Sequence, residues 1–311
     1  MLKRRRPFTR KKQPRRLVTT ENTEQVMIAI HDYEGVMSHT QIVRLCFPGC
    51  TSTWPFERMQ HYFDHRLVKK FDAYNVNGHQ LGKIVYTLDK RGADVAASKK
   101  RIDLANFKWR GHPRWLTLVH DLAINDFRLD VREACQKNPQ FSVKRWISEY
   151  ELSQISPRIP GRLDSFFILQ RENDHQGGRT EQLALHLEID TGNHSINRLM
   201  KRKVKPILRY FGSDKYLNQF GVRAGVCLIV TNSEKRLHNL KQAIEENRGK
   251  GLFYLTTAEA VSAQTVLTEP IWFLAGSDYV FSIKTMPLSP VEAGVLNDVA
   301  STRYQQALLP M

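Results

Sequence analysis

Asp164, Glu188 and Lys203 are the residues whose types and surroundings suggest chemistry. Asp164 lies in PGRLDSFFILQ, where LDSFFIL is so apolar that its strand is expected to be buried on both faces. A carboxylate at the start of such a strand is costly unless it is paired or bound to a metal. Glu188 lies in LALHLEID. There, strand alternation sends Leu183, Leu185, Leu187 and Ile189 to one face and His186, Glu188 and Asp190 to the other. Lys203 falls in the following helix, inside an apolar stripe of Ile196, Leu199, Met200, Val204, Ile207 and Phe211, whereas Arg198, Lys201, Arg202 and Lys205 lie outside it. A lysine on an apolar face calls for a nearby acid. With Asp164 and Glu188 on neighbouring strands, two carboxylates could hold Mg²⁺ or Mn²⁺, hard ions that take oxygen ligands and keep water. Such an ion would orient an attacking water and neutralise charge on a phosphodiester, with Lys203 stabilising the developing negative charge. The plainer alternative is a salt-bridged cluster in which Asp190 pairs Lys201 or Lys203.

Positioning these groups takes an α/β framework. A helix is expected over WLTLVHDLAINDFRLDVREAC, with Leu116, Val119, Leu122, Ala123 and Phe127 on one side and His120 within it. Ser142 is expected to cap a short helix, VKRWISEYEL, carrying Glu149 and Glu151. Strands over LDSFFIL, LALHLEID, GVCLIVT and LFYLTT alternate with helices from Ser195 and over SEKRLHNLKQAIEEN. That order describes an α/β sandwich with a mixed central sheet, spanning 113–275, with 276–311 as a tail.

The region before it carries no acid–base cluster and reads as a DNA-reading module over 22–98. Asn22 or Thr23 can cap a helix over EQVMIAIHDYEG, and Ser38 caps HTQIVRLCF. A third helix is expected from Trp54 to His65, with Pro55 in its first turn. LVKKFDAY and KIVYTL follow as strands around the turn NVNGHQ, completing a winged helix-turn-helix, and DKRGADVAASKK closes it as a helix. The third helix would present Arg58, Gln60, His61 and His65 to a groove of double-stranded DNA, and the wing would offer Lys69 and Lys70 to phosphates.

Net charge agrees with such a partner. The 311 residues carry +16, and nine of those charges, Lys3, Arg4, Arg5, Arg6, Arg10, Lys11, Lys12, Arg15 and Arg16, sit in the acid-free stretch 1–16 of a basic arm, 1–21, that is expected to be disordered. The remaining +7 leaves the body basic too, and neutralising phosphates releases condensed counterions. KKRIDLANFKWRGH, 99–112, lacks clean periodicity and is expected to be a linker. With no apolar run near the ~20 residues of a membrane span and no secretion-signal centre, membrane insertion is not expected and the cytoplasm is the expected location. Cys46, Cys50, His61 and His65 have C-x3-C-x10-H-x3-H spacing, whose middle spacer is shorter than the ~12 residues of a two-Cys, two-His zinc finger. A turn with two thiols and a helix with two imidazoles is the other reading.

The acids, the lysine and the surrounding elements resemble the PD-(D/E)XK restriction-endonuclease superfamily and, more narrowly, the replication-relaxation family. The segments that carry the resemblance are the winged helix, HDLAINDFRLDVREA, Trp146 to Glu149 as W-x-x-E, GRLDSFFIL, LEIDTGN and TTAEAV…TEPIWFLAG, together covering most of 22–275. The resemblance implies a restriction-endonuclease-like α/β domain, with Asp164 and Glu188 as its metal-binding acids and Glu149 as the acid of the preceding helix. It also implies a role in plasmid replication and DNA relaxation, similar to that of endonuclease-like mobilisation relaxases. The partners would be double-stranded DNA at a plasmid or mobile-element site and proteins of replication or mobilisation. The superfamily pattern places lysine two residues after Glu188, where this chain has Asp190. The pattern's proline directly before Asp164 is also missing, Pro160 being close by. Either Lys203 has taken over from the next helix, or the site has lost its chemistry. Two functions follow: a metal-dependent DNA nickase, or a sequence-specific DNA-binding regulator whose nuclease-like domain is structural.

Overall fold

Reciprocal caps open the first two helices. Thr20 and Thr23 exchange backbone and hydroxyl contacts at the head of α1 (Glu21–Asp32), and Ser38 and Gln41 do the same for α2 (His39–Cys46). The computed structural model describes residues 8–50, 53–76, 79–155, 161–173, 179–221 and 225–286. Lys3, Arg4, Arg5, Arg6, Pro160 and the end of the expected tail lie outside the described residues.

The chain divides into two units, Met1–Leu129 and Asp130–Met311. In the first, β1 (Met37–Ser38), α3 (Thr53–Asp64), β2 (Val68–Val76), β3 (His79–Leu88) and α4 (Lys90–Lys100) follow α1 and α2. The three strands form an antiparallel sheet in the order β1-β3-β2, with Lys69 opposite Thr87 and Lys70 opposite Tyr86. Met27, Ile30, Ile42, Met59, Tyr62 and Tyr86 are fully buried at its core.

Two expectations need correction here. The expected linker, 99–112, belongs to the first unit: Phe107 is buried in its core, with Leu104 and Trp109 packed beside it. Its apolar residues are too widely spaced to show a period, yet each meets the core individually. The second correction concerns α5 (Leu118–Lys137), within which the division falls. Its buried face starts at Leu118 and Leu122, while Leu116, expected on that face, is 86% exposed. Next to them Asp121 is fully buried, held by Arg110, Arg114 and the Thr117 hydroxyl. A buried carboxylate needs such partners.

The second unit is built on a seven-stranded mixed sheet in the order β10-β9-β8-β7-β6-β5-β4. These are β4 (Phe141–Ser148), β5 (Ser165–Asn173), β6 (Arg179–Asp190), β7 (Val226–Thr231), β8 (Phe253–Thr257), β9 (Trp272–Leu274) and β10 (Val280–Phe281). β6, β7 and β8 run parallel; the other neighbours are antiparallel. Parallel neighbours need crossovers. The first consists of α7 (Ile196–Leu199), a π-helical turn (Met200–Val204), α8 (Lys205–Tyr210) and α9 (Asp214–Phe220); the second is α10 (Glu234–Glu246). All six β7 residues are buried, as expected of a strand covered on both faces.

Two elements differ from the reading of the sequence. VKRWIS forms the strand β4, not a helix, because Val143, Trp146 and Ile147 suit a pleated surface and Trp146 stacks on its cross-strand partner Phe167 at 4.5 Å. A register shift between Val143 and Arg145 breaks the alternation that would have revealed it. The helix starts later, as α6 (Glu149–Ile155), with Ser148 and Glu151 forming its capping box. The expected tail also supplies the edge strand β10. Beyond it the Arg171 guanidinium donates to the carbonyls of Ile283, Lys284 and Met286, and Ile283 and Met286 are fully buried. A two-residue strand is too short to leave a pattern. Among the described residues no helix is long and apolar enough to cross a membrane.

Candidate functional site

The antiparallel pairing of β5 with β6 sets Ser165 opposite Leu187, so Asp164 and Glu188 meet at the same end of the two strands. Asp164 is fixed there twice. Its N–H donates to the Leu187 carbonyl at 2.8 Å, and its Oδ2 accepts from the Ile189 N–H at 2.7 Å. One carboxylate oxygen is thus committed to the backbone, and the other is directed at Lys203, whose Nζ lies 3.1 Å from Asp164 Oδ1. The same ammonium contacts both Glu188 oxygens, Oε1 at 2.5 Å. The two carboxylates are nearly buried, each side chain 5% exposed, while the lysine side chain retains 27%.

Burial works to lower the basicity of Lys203, but the Asp164 and Glu188 carboxylates outweigh it and hold the amine above the ordinary lysine value. Lys203 is therefore an ammonium throughout the neutral range. It cannot serve as a base there; it can stabilise negative charge.

Lys203 reaches this position from the π-helical turn. Pro206 has no N–H to offer the Arg202 carbonyl, and a proline ring inside a helix crowds the carbonyl four residues back. The chain widens just before it, with the Lys205 N–H bonded to the Met200 carbonyl five residues earlier. Gly161, at φ +63°, lies directly against this segment, where a Cβ would come within 2.4 Å of the Lys203 carbonyl oxygen. The loop leading to Asp164 and the turn bearing Lys203 are thus in backbone contact.

Glu149 and Asp190 do not join this cluster in the same way. Ser148 pairs with Ser165, so Glu149 and Asp164 are the next residues along their strands, but Glu149 opens α6 and lies 3.9 Å from the Arg162 guanidinium. Asp190 pairs with neither Lys201 nor Lys203. Arg236 of α10 grips both its oxygens, one at 2.9 Å, and the Thr231 hydroxyl donates to it at 3.3 Å. Arg236 also donates to the His194 carbonyl, tying the end of β6 to α10. His186 is fully buried among Phe166, Phe211 and Phe220, its Nε2 2.8 Å from the Tyr216 hydroxyl; burial pushes its pKa down to about 3. It is neutral and structural.

A family model described as replication-relaxation matches residues 30–225, more than half of the chain. The chain belongs to the replication-relaxation family. The replication-relaxation match contains Asp164, Glu188 and Lys203 and stops before Arg236, the residue that occupies Asp190. No curated protein and no solved structure matches the chain.

The donor set around Lys203 suits a hard divalent ion. Two carboxylates converge on one cationic position, and Mg²⁺ is commonly held by one or two carboxylates with water completing its shell. Among the described residues no group of three or more His, Cys, Asp or Glu side chains is arranged to hold a metal, so Asp164 and Glu188 would act with water alone. The same holds for Cys46, Cys50, His61 and His65: among the described residues neither thiol is in a disulfide, and the two imidazoles stack edge-on at 4.5 Å.

The residues expected to face DNA are placed unequally. Arg58 and His61 are half-buried on α3, Arg58 lying over the Tyr62 ring at 5.2 Å. Gln60 donates to Asp64 and accepts from Lys70 at 3.2 Å. Lys69 contacts His112 at 2.9 Å. Lys70 is turned inward instead, 6% exposed and 4.9 Å from the Phe56 ring. Lys70 and Gln60 therefore hold α3 against β2, and of the two lysines expected to meet phosphates only Lys69 is half-exposed. Sequence reading missed Arg236, Pro206 and Gly161; only the proline, inside a helical pattern, leaves a local signal.

Proposed function

We propose that this replication-relaxation protein binds double-stranded DNA through its first unit and nicks it in its second, with Mg²⁺ or Mn²⁺, on plasmid or other mobile-element DNA. The observation that carries this reading is the meeting of Lys203 with Asp164 and Glu188 at one point. Asp164 and Glu188 would hold the ion, which when bound supplies a polarised phosphodiester oxygen and a more acidic water. Lys203 stays charged and stabilises the negative charge that builds on the phosphate in the transition state. Glu149, which follows the Ser148–Ser165 pair, would order water at the edge of the site. The first unit, with three helices ahead of two long strands, has the element order of a winged helix. Its α3 carries Arg58 and His61 as groove-facing candidates.

Incubation of supercoiled cognate plasmid with the purified chain and Mg²⁺ or Mn²⁺ tests the reading. Conversion to open circles is expected, with Asp164→Ala and Glu188→Ala slowing it at least a hundredfold while DNA binding persists. Intact supercoils at every metal concentration, with the DNA demonstrably bound, contradict it.

A second reading has its own support. Arg236 closes on Asp190, at the position where the superfamily carries lysine. A sequence-specific regulator or replication accessory with an inactive nuclease-like domain would keep such a lock. It requires Glu188→Ala to leave plasmid maintenance unchanged.

A further inference from the structure

Residues 8–17 were expected to form part of a disordered arm, yet they are seated on the first unit. The Arg10 guanidinium donates to Asp89 Oδ2 at 2.7 Å and to the Val68 carbonyl at 3.3 Å, and lies 4.7 Å from the centre of the Phe63 ring. The Lys11 N–H donates to Asp64 Oδ1 at 3.1 Å, and the Arg15 carbonyl accepts from His65 Nε2 at 2.6 Å. Phe8 lies over the Lys70 ammonium at 5.2 Å, and Leu17 packs against the core. The anchors are thus the C-terminal end of α3, the start of β2 and the cap of α4.

The other face of this seated segment is cationic. Lys11, Lys12, Arg15 and Arg16 are exposed, and their side chains form no ion pair with another described residue. His61 of α3 faces the same crowd. Burial first, then His65, Arg58 and Lys11, hold it below the ordinary histidine value against the opposing effect of Asp64. These four cations, without an ion pair among the described residues, lie beside a helix with Arg58 and His61 and form a cationic surface.

We infer that the seated segment from Arg10 to Arg16 is a phosphate-contacting rim of the DNA interface built on α3, held in register by the clip between Arg10 and Asp89. The inference rests on the DNA-binding reading of the first unit. DNA fits this surface better than an anionic membrane does. A membrane-binding segment needs an apolar helical face, but residues 8–20 form no helix, and Phe8 and Leu17 are turned onto the protein. Pre-seating also lowers the entropy lost on binding, because the backbone is already ordered.

Asp89 permits a clean test, because it also caps α4 by accepting from the Lys90 N–H. Asparagine caps equally well but carries no charge for Arg10. Binding of the full-length chain to a short duplex of arbitrary sequence would be followed by fluorescence anisotropy over a series of salt concentrations. Three proteins are compared: wild type, the quadruple variant Lys11→Gln, Lys12→Gln, Arg15→Gln, Arg16→Gln, and Asp89→Asn. The quadruple variant is expected to bind with a log–log salt slope shallower by about 0.9 for each phosphate left unneutralised, or roughly 2 to 4 in all. Asp89→Asn is expected to bind about tenfold more weakly with an unchanged unfolding midpoint. A wild-type slope in the quadruple variant, or wild-type affinity in Asp89→Asn, overturns the inference. So does a quadruple variant that loses only its binding to phosphatidylserine vesicles. If the wild-type chain binds no DNA at all, the DNA-binding reading itself falls, an outcome distinct from the others.

Discussion

Asp190 shows how one residue on a strand face acquires a different task from its neighbours on that face. Arg236 and Thr231 take up its oxygens, and Lys203, from the next helical segment, supplies the ammonium that the strand does not. His186, on the same side of β6, is a third case. A histidine held neutral by burial binds no proton where the unfolded chain does, so stability falls as pH drops below about 6.5 and levels off near 3. The decline is about 1.4 kcal/mol per pH unit within that window. Urea unfolding from pH 7 to pH 4 is expected to show this decline in the wild type and its absence in His186→Phe. Parallel pH profiles for the two proteins would show that His186 is charged in the folded state. The alternation that sends His186, Glu188 and Asp190 to one side was legible in the sequence, because side-chain period on a strand is strictly two. The partners were not. Arg236 lies on a different crossover helix, and no local pattern ties it to Asp190.

At the scale of elements, the crossover from β6 to β7 decides where the ammonium goes. Its apolar stripe is legible, since Leu199, Met200, Val204, Ile207 and Phe211 are all buried. The interruption leaves one local signal in the sequence, Pro206. Replacing Pro206 with alanine restores a donor for the Arg202 carbonyl and removes a residue that costs roughly 3 kcal/mol relative to alanine inside a helix. The turn should then relax to α-helical geometry and rotate Lys203 away from the carboxylates. Pro206→Ala is expected to nick supercoiled plasmid at least tenfold more slowly while unfolding at a temperature no lower than the wild type. Wild-type nicking would show that the π-helical turn does not set the position of Lys203. β4 was misread for the opposite reason: its bulge disguises a strand as a short helical period, and only pairing with β5 decides between them.

At the scale of the molecule, the sequence separates a basic front from an acid-bearing back, and the chain does form two units. The boundary itself was not legible, because it falls within α5, where an unbroken helical pattern carries no mark of a change in packing. The expected tail was likewise hidden, since Arg171 holds it through main-chain carbonyls, which any sequence provides. The functional reading depends on Asp164 and Glu188 serving one cation position, now filled by the Lys203 ammonium, that a divalent ion can share. Electron paramagnetic resonance of Mn²⁺ titrated into the full-length chain measures this directly, without DNA or turnover. The expected result is one bound ion in the wild type and at least tenfold weaker binding in both Asp164→Asn and Glu188→Gln. An absence of bound Mn²⁺ in the wild type, or wild-type binding in either variant, would contradict it.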